Sequence, residues 1–165
     1  MNIVIVDDQT SARTMLRHIL EDISPELEVF DFGDPEVALR WCEDHRADLL
    51  LLDYRMPVVD GLEFARRFRR PMLHRDVPIV LVTVVGDEPI RQAALEAGVI
   101  DFLVKPVRPR ELRARCRNLL QLRQLIESFE ASHGTDNEAL AHRLVLQIRE
   151  KVDALELRDE LAQAM

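Results

Sequence analysis

Cysteine, glycine and long apolar runs are scarce in this sequence. The 2 cysteines among the 165 residues, Cys42 and Cys116, lie far apart with no Cys-x-x-Cys or Cys/His spacing near either. This pattern favours buried free thiols in a reducing compartment over a disulfide framework. With only 5 glycines and 8 prolines, the composition is typical of a globular chain rather than a fibrous or low-complexity one.

The sequence also lacks the features of a membrane or exported protein. No apolar run approaches the ~20 residues that a bilayer-spanning helix needs. Met1 leads directly into an apolar strand, so we expect no signal peptide. These absences predict a cytoplasmic protein that has no membrane partner.

The formal net charge of −8 argues against a general nucleic-acid binder. Basic residues nevertheless cluster within residues 66–75 and 105–123, where no helix-turn-helix, zinc-finger or RNA-binding signature accompanies them. Two interpretations of these clusters stay open, solvated helix faces and a docking surface for an acidic partner or subunit. We expect no direct contact with nucleic acid.

Five short runs rich in Val, Ile and Leu predict five β-strands, at residues 3–6, 27–30, 49–52, 79–82 and 102–104. Three of them are nearly continuous rather than alternating, as in parallel strands that are covered on both faces. Amphipathic stretches between and after them predict helices over residues 11–22, 35–44, 62–70, 89–97 and 109–127. Five βα units predict an α/β fold, a flavodoxin-like doubly wound parallel sheet in the order 2-1-3-4-5.

A C-terminal helical extension is predicted beyond this sheet. A cluster of helix-breaking residues at 132–137 precedes a capping-box pattern, Thr135 to Glu138. The following residues carry an apolar heptad stripe, which Asp159 interrupts: Ala141, Val145, Ile148, Val152, Leu155 and Ala162. The stripe predicts a parallel coiled coil and a homodimer through residues 138–165. A helix that packs back on its own domain is the open alternative.

Chemistry-bearing side chains follow the predicted strands at the edge where ligands bind in doubly wound sheets. Asp7 and Asp8 end the first strand, Asp53 the third, Thr83 the fourth and Lys105 the fifth. We therefore expect three carboxylates, one hydroxyl and one ammonium group to converge on a single crevice.

This set of residue types is suited to phosphoryl transfer. Three carboxylates repel one another unless a cation lies among them, and Mg²⁺ is a hard ion that prefers oxygen ligands. An ionised aspartate can attack phosphorus to give an aspartyl phosphate, provided that the charge on the transferring oxygens is neutralised. Mg²⁺, Lys105 and the Thr83 hydroxyl could each serve one oxygen.

The motifs around these residues resemble the response-regulator receiver family. The resemblance rests on residues 5–8 (IVDD), 51–61 (LLDYRMPVVDG), Thr83 and residues 101–106 (DFLVKP), and it covers about residues 1–125. It implies a phosphoacceptor signalling domain that takes its phosphoryl group from a sensor histidine kinase or phosphotransfer protein. The last part of the chain, residues 126–165, would then be a helical linker or coiled-coil extension.

The resemblance also implies roles for individual residues. Asp53 is the implied phosphoacceptor and, with Asp8, a direct Mg²⁺ ligand. The backbone carbonyl of Arg55 is the implied third protein ligand, and Asp7 acts through water. Lys105 is expected to pair with the phosphoryl group.

Two further residues, Thr83 and Phe102, form the implied switch pair that reports phosphorylation to helix four, strand five and helix five. Phe102 lacks the hydroxyl of the more usual tyrosine, so the switch is expected to rely on ring packing. Val84 stands where a very small residue is usual. Arg55 and Val85 occupy positions that tune phosphoryl lifetime in the family.

A second resemblance concerns the end of the receiver-like region. Residues 109–120 are similar to the last receiver helix of regulators whose output is an HD-GYP cyclic-di-GMP phosphodiesterase, and residues 157–160 faintly resemble the start of that output domain. Neither the His-Asp pair nor the Gly-Tyr-Pro triplet occurs in the sequence. The expectation is therefore a non-enzyme that catalyses only its own phosphorylation and dephosphorylation.

Functions of two other classes compete with the phosphoacceptor. A flavodoxin-like cofactor binder needs a phosphate-holding loop after the first strand, where Asp7 and Asp8 would repel phosphate. A pseudo-receiver, a phosphorylation-independent interaction or dimerisation module, stays open because Val84 and Phe102 are atypical.

Overall fold

All five predicted strands form one parallel sheet. In a computed structural model, which describes residues 1–71, 74–84 and 88–133, the strands are β1 (Asn2–Val6), β2 (Glu28–Phe32), β3 (Leu49–Asp53), β4 (Ile79–Thr83) and β5 (Asp101–Val104). Their order in the sheet is β2-β1-β3-β4-β5. The predicted flavodoxin-like order is confirmed.

Five helices alternate with the strands: α1 (Thr10–Glu21), α2 (Pro35–Asp44), α3 (Gly61–Phe68), α4 (Glu88–Glu96) and α5 (Pro109–His133). The start of α2 is fixed as its sequence predicts, because the Asp34 side chain accepts hydrogen bonds from the backbone N–H groups of Glu36 and Val37, and Pro35 occupies the first helical position. α5 continues past residue 127, the predicted helix end.

The helices cover both faces of the sheet, which explains why the strands are apolar throughout. Alternate residues of β1 illustrate the division: Ile3 and Ile5 pack with α1 and α5, whereas Val4 and Val6 pack with α2, α3 and α4. Because both sets are buried, a polar residue inside a central strand would lose its hydration. Polar side chains with chemical functions are therefore confined to the strand ends.

One compact unit spans Met1–Arg123, and the described residues beyond it are the remainder of α5. The predicted coiled coil over residues 138–165 lies outside the described residues. Among the helices that the structure describes, none is long and apolar enough to cross a membrane. Cys42 and Cys116 are both buried free thiols, and burial raises the pKa of each to about 12.

Candidate functional site

The predicted site residues meet at the carboxyl edge of the sheet. Asp7 and Asp8 follow β1, Asp53 is the last residue of β3, Thr83 is the last residue of β4, and Lys105 follows β5. Parallel pairing of β1 with β3, β3 with β4 and β4 with β5 places these four strand ends side by side.

Three carboxylates form the centre of the site. One oxygen from each of Asp7, Asp8 and Asp53 lies within 4.8 Å of the others, and we call these residues the acidic triad. Asp7 is 1% exposed and Asp53 4% exposed, whereas Asp8 is exposed. The triad thus has a buried side in the sheet and an open side towards solvent.

Lys105 joins two members of the triad. Its Nζ lies 2.7 Å from Oδ1 of Asp53 and 3.0 Å from Oδ2 of Asp7. The backbone N–H of Lys105 donates to the carbonyl oxygen of Thr83 at 2.8 Å, which fixes the lysine beside the end of β4. The Lys105–Pro106 peptide bond is cis.

The charges of this group of residues are strongly coupled. Burial raises the pKa of Asp53, and the neighbouring Asp7 and Asp8 charges act in the same direction, against the opposing effect of Lys105. Burial alone would lower the pKa of Lys105, but its hydrogen bonds to Asp53 and Asp7 raise it. The lysine therefore stays protonated and favours an ionised, nucleophilic Asp53.

The donor set suits a hard divalent cation. Three carboxylates cluster at the site and one ammonium group pairs with two of them, so the site has an excess of negative charge and oxygen ligands, which is the chemistry that Mg²⁺ prefers. Arg55, two residues after Asp53, lies in the loop between β3 and α3 with its side chain exposed. The role of its carbonyl as a ligand stays a prediction.

The loop between β3 and α3 packs tightly behind Asp53. A Cβ added to Gly61 would lie 2.6 Å from the carbonyl oxygen of Asp53, a distance that no side chain tolerates. The N–H of Gly61 donates to the carbonyl of Tyr54 at 3.0 Å, and the Asp60 carboxylate caps α3 by accepting from the N–H of Glu63. Gly61 therefore shapes this loop by permitting the close approach of two backbone segments, and Pro57 lies within the same loop.

The implied switch residues lie on β4, the strand beside that of Asp53, and on β5, the strand beyond it. Thr83 is buried, and Phe102 is half-buried against the cluster formed with α2, α3 and α4. The guanidinium carbon of Arg91, on α4, lies 5.4 Å from the centroid of the Phe102 ring. Val84 is half exposed rather than packed into the site, and Val85 lies outside the described residues.

Three residues near the triad were not predicted from the sequence. Arg13, on α1, donates to the backbone carbonyl of Asp7, Asp31 accepts from Arg13, and Gly33 lies beneath the guanidinium. One signal could have indicated them: Asp31 is a charged residue within an apolar strand, two positions before a glycine, and the end of that strand adjoins the end of β1.

Comparison with known proteins identifies the family. Residues 3–117 match the response regulator receiver domain family. The chain is 78% identical over 130 residues to the cyclic di-GMP phosphodiesterase response regulator RpfG of Xanthomonas campestris, a match that covers 79% of this chain and 34% of the relative. The chain thus spans about a third of that protein.

Solved structures agree with this assignment. The chemotaxis protein CheY4 of Vibrio cholerae is 30% identical with a TM-score of 0.67, covering 72% of this chain and 97% of its own. The receiver domain of the sensor histidine kinase PA1611 of Pseudomonas aeruginosa is 30% identical with a TM-score of 0.66, covering 73% and 97%. That receiver holds a magnesium ion in its active-site cleft.

The prediction of a non-enzyme is wrong. A relative that is 78% identical over the shared region is a cyclic di-GMP phosphodiesterase response regulator. The chain covers 34% of that relative, its receiver part, so the absence of the His-Asp pair and the Gly-Tyr-Pro triplet from this chain does not exclude an enzyme.

Proposed function

The chain belongs to the response regulator receiver domain family of two-component signalling, and on that premise we propose that Asp53 accepts a phosphoryl group from a sensor histidine kinase or phosphotransfer protein. The contact that carries the proposal is the ion pair of 2.7 Å between Lys105 Nζ and Asp53 Oδ1 within the acidic triad. It pairs the proposed nucleophile with a cation that could also bind the phosphoryl group after transfer.

The chemical step is a displacement at phosphorus. A carboxylate oxygen of Asp53 forms the new P–O bond while the bond from phosphorus to the donor atom breaks, and the leaving group departs with the electron pair. When the donor is a phosphohistidine, the departing imidazole takes up a proton. Lys105 is placed to exchange its contact with Asp53 for one with a phosphoryl oxygen.

Asp8 and Asp53 are the proposed direct ligands of Mg²⁺, together with the backbone carbonyl of Arg55, whereas Asp7 acts through water. When bound, Mg²⁺ neutralises negative charge on the transferring phosphoryl group. Support comes from the excess of carboxylate charge in the triad and from the magnesium ion in the similar receiver of PA1611.

Thr83 and Phe102 form the proposed switch. The Thr83 hydroxyl is expected to bind a phosphoryl oxygen, and its movement would open or close space for the Phe102 ring. The hydrogen bond from the N–H of Lys105 to the carbonyl of Thr83 supports this coupling, because it ties the phosphate-binding lysine to the switch residue.

The proposed output activity is inferred from the similarity to RpfG. We propose that the chain is the receiver part of a cyclic di-GMP phosphodiesterase response regulator and controls that activity through Asp53. Residues 1–125 are the proposed receiver domain and 126–165 the proposed linker or coiled coil, through which a homodimer would form. A cytoplasmic location, with protein partners rather than nucleic acid or membrane, completes the proposal and is supported by the buried thiols.

Intact-protein mass spectrometry after incubation with acetyl phosphate and Mg²⁺ tests this function. The wild-type chain should gain one phosphoryl group, and the gain should disappear in Asp53→Asn or when the metal is chelated. Asp60→Asn is the matched control, because this carboxylate caps α3 outside the triad. Labelling of Asp53→Asn at the wild-type level would contradict the proposal, and an unlabelled wild type would favour the phosphorylation-independent module.

A further inference from the structure

Arg13 donates hydrogen bonds to three groups around the loop after β1, which carries Asp7 and Asp8 of the acidic triad. Its Nη1 donates to the backbone carbonyl of Asp7 at 2.7 Å, its Nη2 to the hydroxyl of Thr10 at 3.1 Å, and its Nε to Oδ2 of Asp31 at 3.2 Å. The Arg13 side chain is only 15% exposed. A planar guanidinium with three fixed acceptors has little freedom to turn.

Asp31 orients this guanidinium from the neighbouring strand. β2 pairs with β1 so that Asp31 lies beside Ile5, two residues before Asp7. Its second oxygen, Oδ1, accepts from Nε of Arg17 at 2.9 Å. The two arginines therefore use different oxygens of one carboxylate, and Arg13 is the one that reaches the loop.

Gly33 provides the space that the guanidinium occupies. A Cβ at this position would lie 2.8 Å from Nη1 and 3.0 Å from Cζ of Arg13. Those atoms are the far end of a flexible side chain, so a methyl group would displace the guanidinium rather than the backbone. Gly33→Ala is therefore a perturbation of Arg13 that leaves Arg13 itself unchanged.

The carbonyl that Arg13 holds is part of the peptide unit between Asp7 and Asp8. The backbone N–H of Asp7 donates to the carbonyl of Phe32 at 3.2 Å, and the side-chain Oδ1 of Asp7 accepts from the N–H of Gln9 at 2.8 Å. Lys105 also pairs with Oδ2 of Asp7, and Arg13 adds a further attachment, to the carbonyl that sets the direction in which the chain continues to the exposed Asp8. Loss of this attachment would free the peptide plane and spread the triad over several arrangements.

We propose that Arg13 is a positioning residue for the acidic triad, seated over Gly33 and oriented by Asp31 so that it holds the Asp7–Asp8 peptide in the geometry that binds Mg²⁺. This inference rests on the proposed function, since it concerns the same site. In this proposal Arg13 is a ligand of neither the metal nor the phosphoryl group, and it acts through the loop alone.

Isothermal titration with MgCl₂ on the full chain measures the effect without any phosphodonor. Arg13→Ala should weaken Mg²⁺ binding about tenfold, the loss expected when one hydrogen bond to a charged group is removed. Gly33→Ala should weaken it in the same direction, but should change nothing in the Arg13→Ala background. Arg13→Lys, which keeps the charge and one donor, should recover part of the affinity.

Arg17→Ala is the matched control. It removes an arginine that lies one turn later on the same helix and that bonds to the other oxygen of Asp31. It should bind Mg²⁺ with wild-type affinity, whereas a loss equal to that of Arg13→Ala would overturn the positioning role. The positioning role would also be overturned if Gly33→Ala weakened Mg²⁺ binding to the same extent in the Arg13→Ala background. If the wild type binds Mg²⁺ and Arg13→Ala binds it equally well, only this inference fails; if the wild type binds none, the proposed function fails with it.

Discussion

Lys105 and Asp53 show how a single charge controls the site at the scale of a residue. Both lie at strand ends, where parallel pairing brings groups distant in sequence into contact at 2.7 Å. Three carboxylates without a cation would repel one another and favour protonation of one of them. Lys105 opposes that protonation by its ion pairs with Asp53 and Asp7. The same lysine that favours the ionised form of Asp53 is, in our proposal, the residue that binds the transferred phosphoryl group.

The backbone conformation of Val58 is expected to lower the free energy of unfolding. Val58 has a φ of 71°, although it is β-branched, and its side chain is 97% exposed. The left-handed region costs an L-residue about 1–2 kcal/mol, and asparagine tolerates it better. Val58→Asn should therefore raise the free energy of unfolding in urea by about 1 kcal/mol.

Val37→Asn is the control for this prediction, because Val37 is also largely exposed but lies in the first turn of α2. Valine and asparagine have similar helix propensities, so this substitution should not stabilise the fold. An equal gain in both variants would show that the backbone conformation at Val58 is not the cause.

His74 makes the fold sensitive to acid. The ring is fully buried, stacks on Phe68 with centroids 4.4 Å apart, and has Nε2 at 2.6 Å from the carbonyl of Cys42. Burial lowers its pKa below the ordinary 6.5. The unfolded chain therefore binds this proton more readily, so the stability contributed by neutral His74 is present above pH 6.5 and is lost as pH falls through the lowered pKa.

Urea unfolding between pH 7.5 and pH 5 is expected to show this loss in the wild type and a smaller one in His74→Phe, which keeps the stacking but cannot be protonated. His18→Gln is the matched control, since His18 is exposed on α1, and it should keep the wild-type pH dependence. A His74→Phe protein with an unchanged slope would disprove the assignment.

At the scale of elements, apolar runs predicted the central strands well and the edge strand β2 less well. β1, β3 and β4 are buried on both faces, so burial and hydrophobicity coincide and the predicted bounds are within a residue of the observed ones. β2 was predicted over residues 27–30 but spans Glu28–Phe32. Asp31 lies inside this strand because Arg13 and Arg17 compensate the charge of its carboxylate. A run of apolar residues in the sequence gives no information about such partners.

The site follows the same division. The triad, Thr83 and Lys105 could be predicted because their positions depend only on strand ends and sheet order. Arg13 and Gly33 do not follow from strand ends and sheet order, since their contact joins a helix to the loop after the neighbouring strand. No fixed sequence spacing relates those two elements.

α4 and β5 meet through a contact that the sequence did not predict, Arg91 over the ring of Phe102. A cation over an aromatic face contributes about 0.5–1 kcal/mol at an exposed site. A double-mutant cycle in urea with Arg91→Ala and Phe102→Leu should therefore give a coupling energy of about 0.5–1 kcal/mol. As a control, Gln92→Ala, at the next exposed position of α4, should show no coupling to Phe102→Leu. A coupling energy of zero between Arg91 and Phe102 would mean that the ring is held by the core alone.

At the scale of the whole molecule, the chain is similar to the receiver part of a longer regulator, of which it spans about a third. Parallel pairing through residues 138–165 would bring two such outputs together. The homodimer stays a prediction, because these residues lie outside those that the structure describes.

Sedimentation at tens of micromolar tests the predicted dimer. The full chain should sediment as a dimer and a version ending at Glu130 as a monomer. Val152→Glu, within the predicted apolar stripe, should weaken the dimer, whereas the neighbouring Lys151→Glu should weaken it less. Monomers in every case would favour a helix that packs back on its own receiver.

If Asp53 carries the phosphoryl group, the modified residue can be located in the sequence by chemical reduction. Borohydride reduces an aspartyl phosphate to homoserine, so peptide mapping after treatment with acetyl phosphate, Mg²⁺ and borohydride identifies the modified position. We expect homoserine at position 53 and at no other aspartate, with none in Lys105→Ala at short reaction times. Homoserine at position 7, 8 or 60, or its absence from position 53 in a protein that has gained a phosphoryl group, would contradict this expectation.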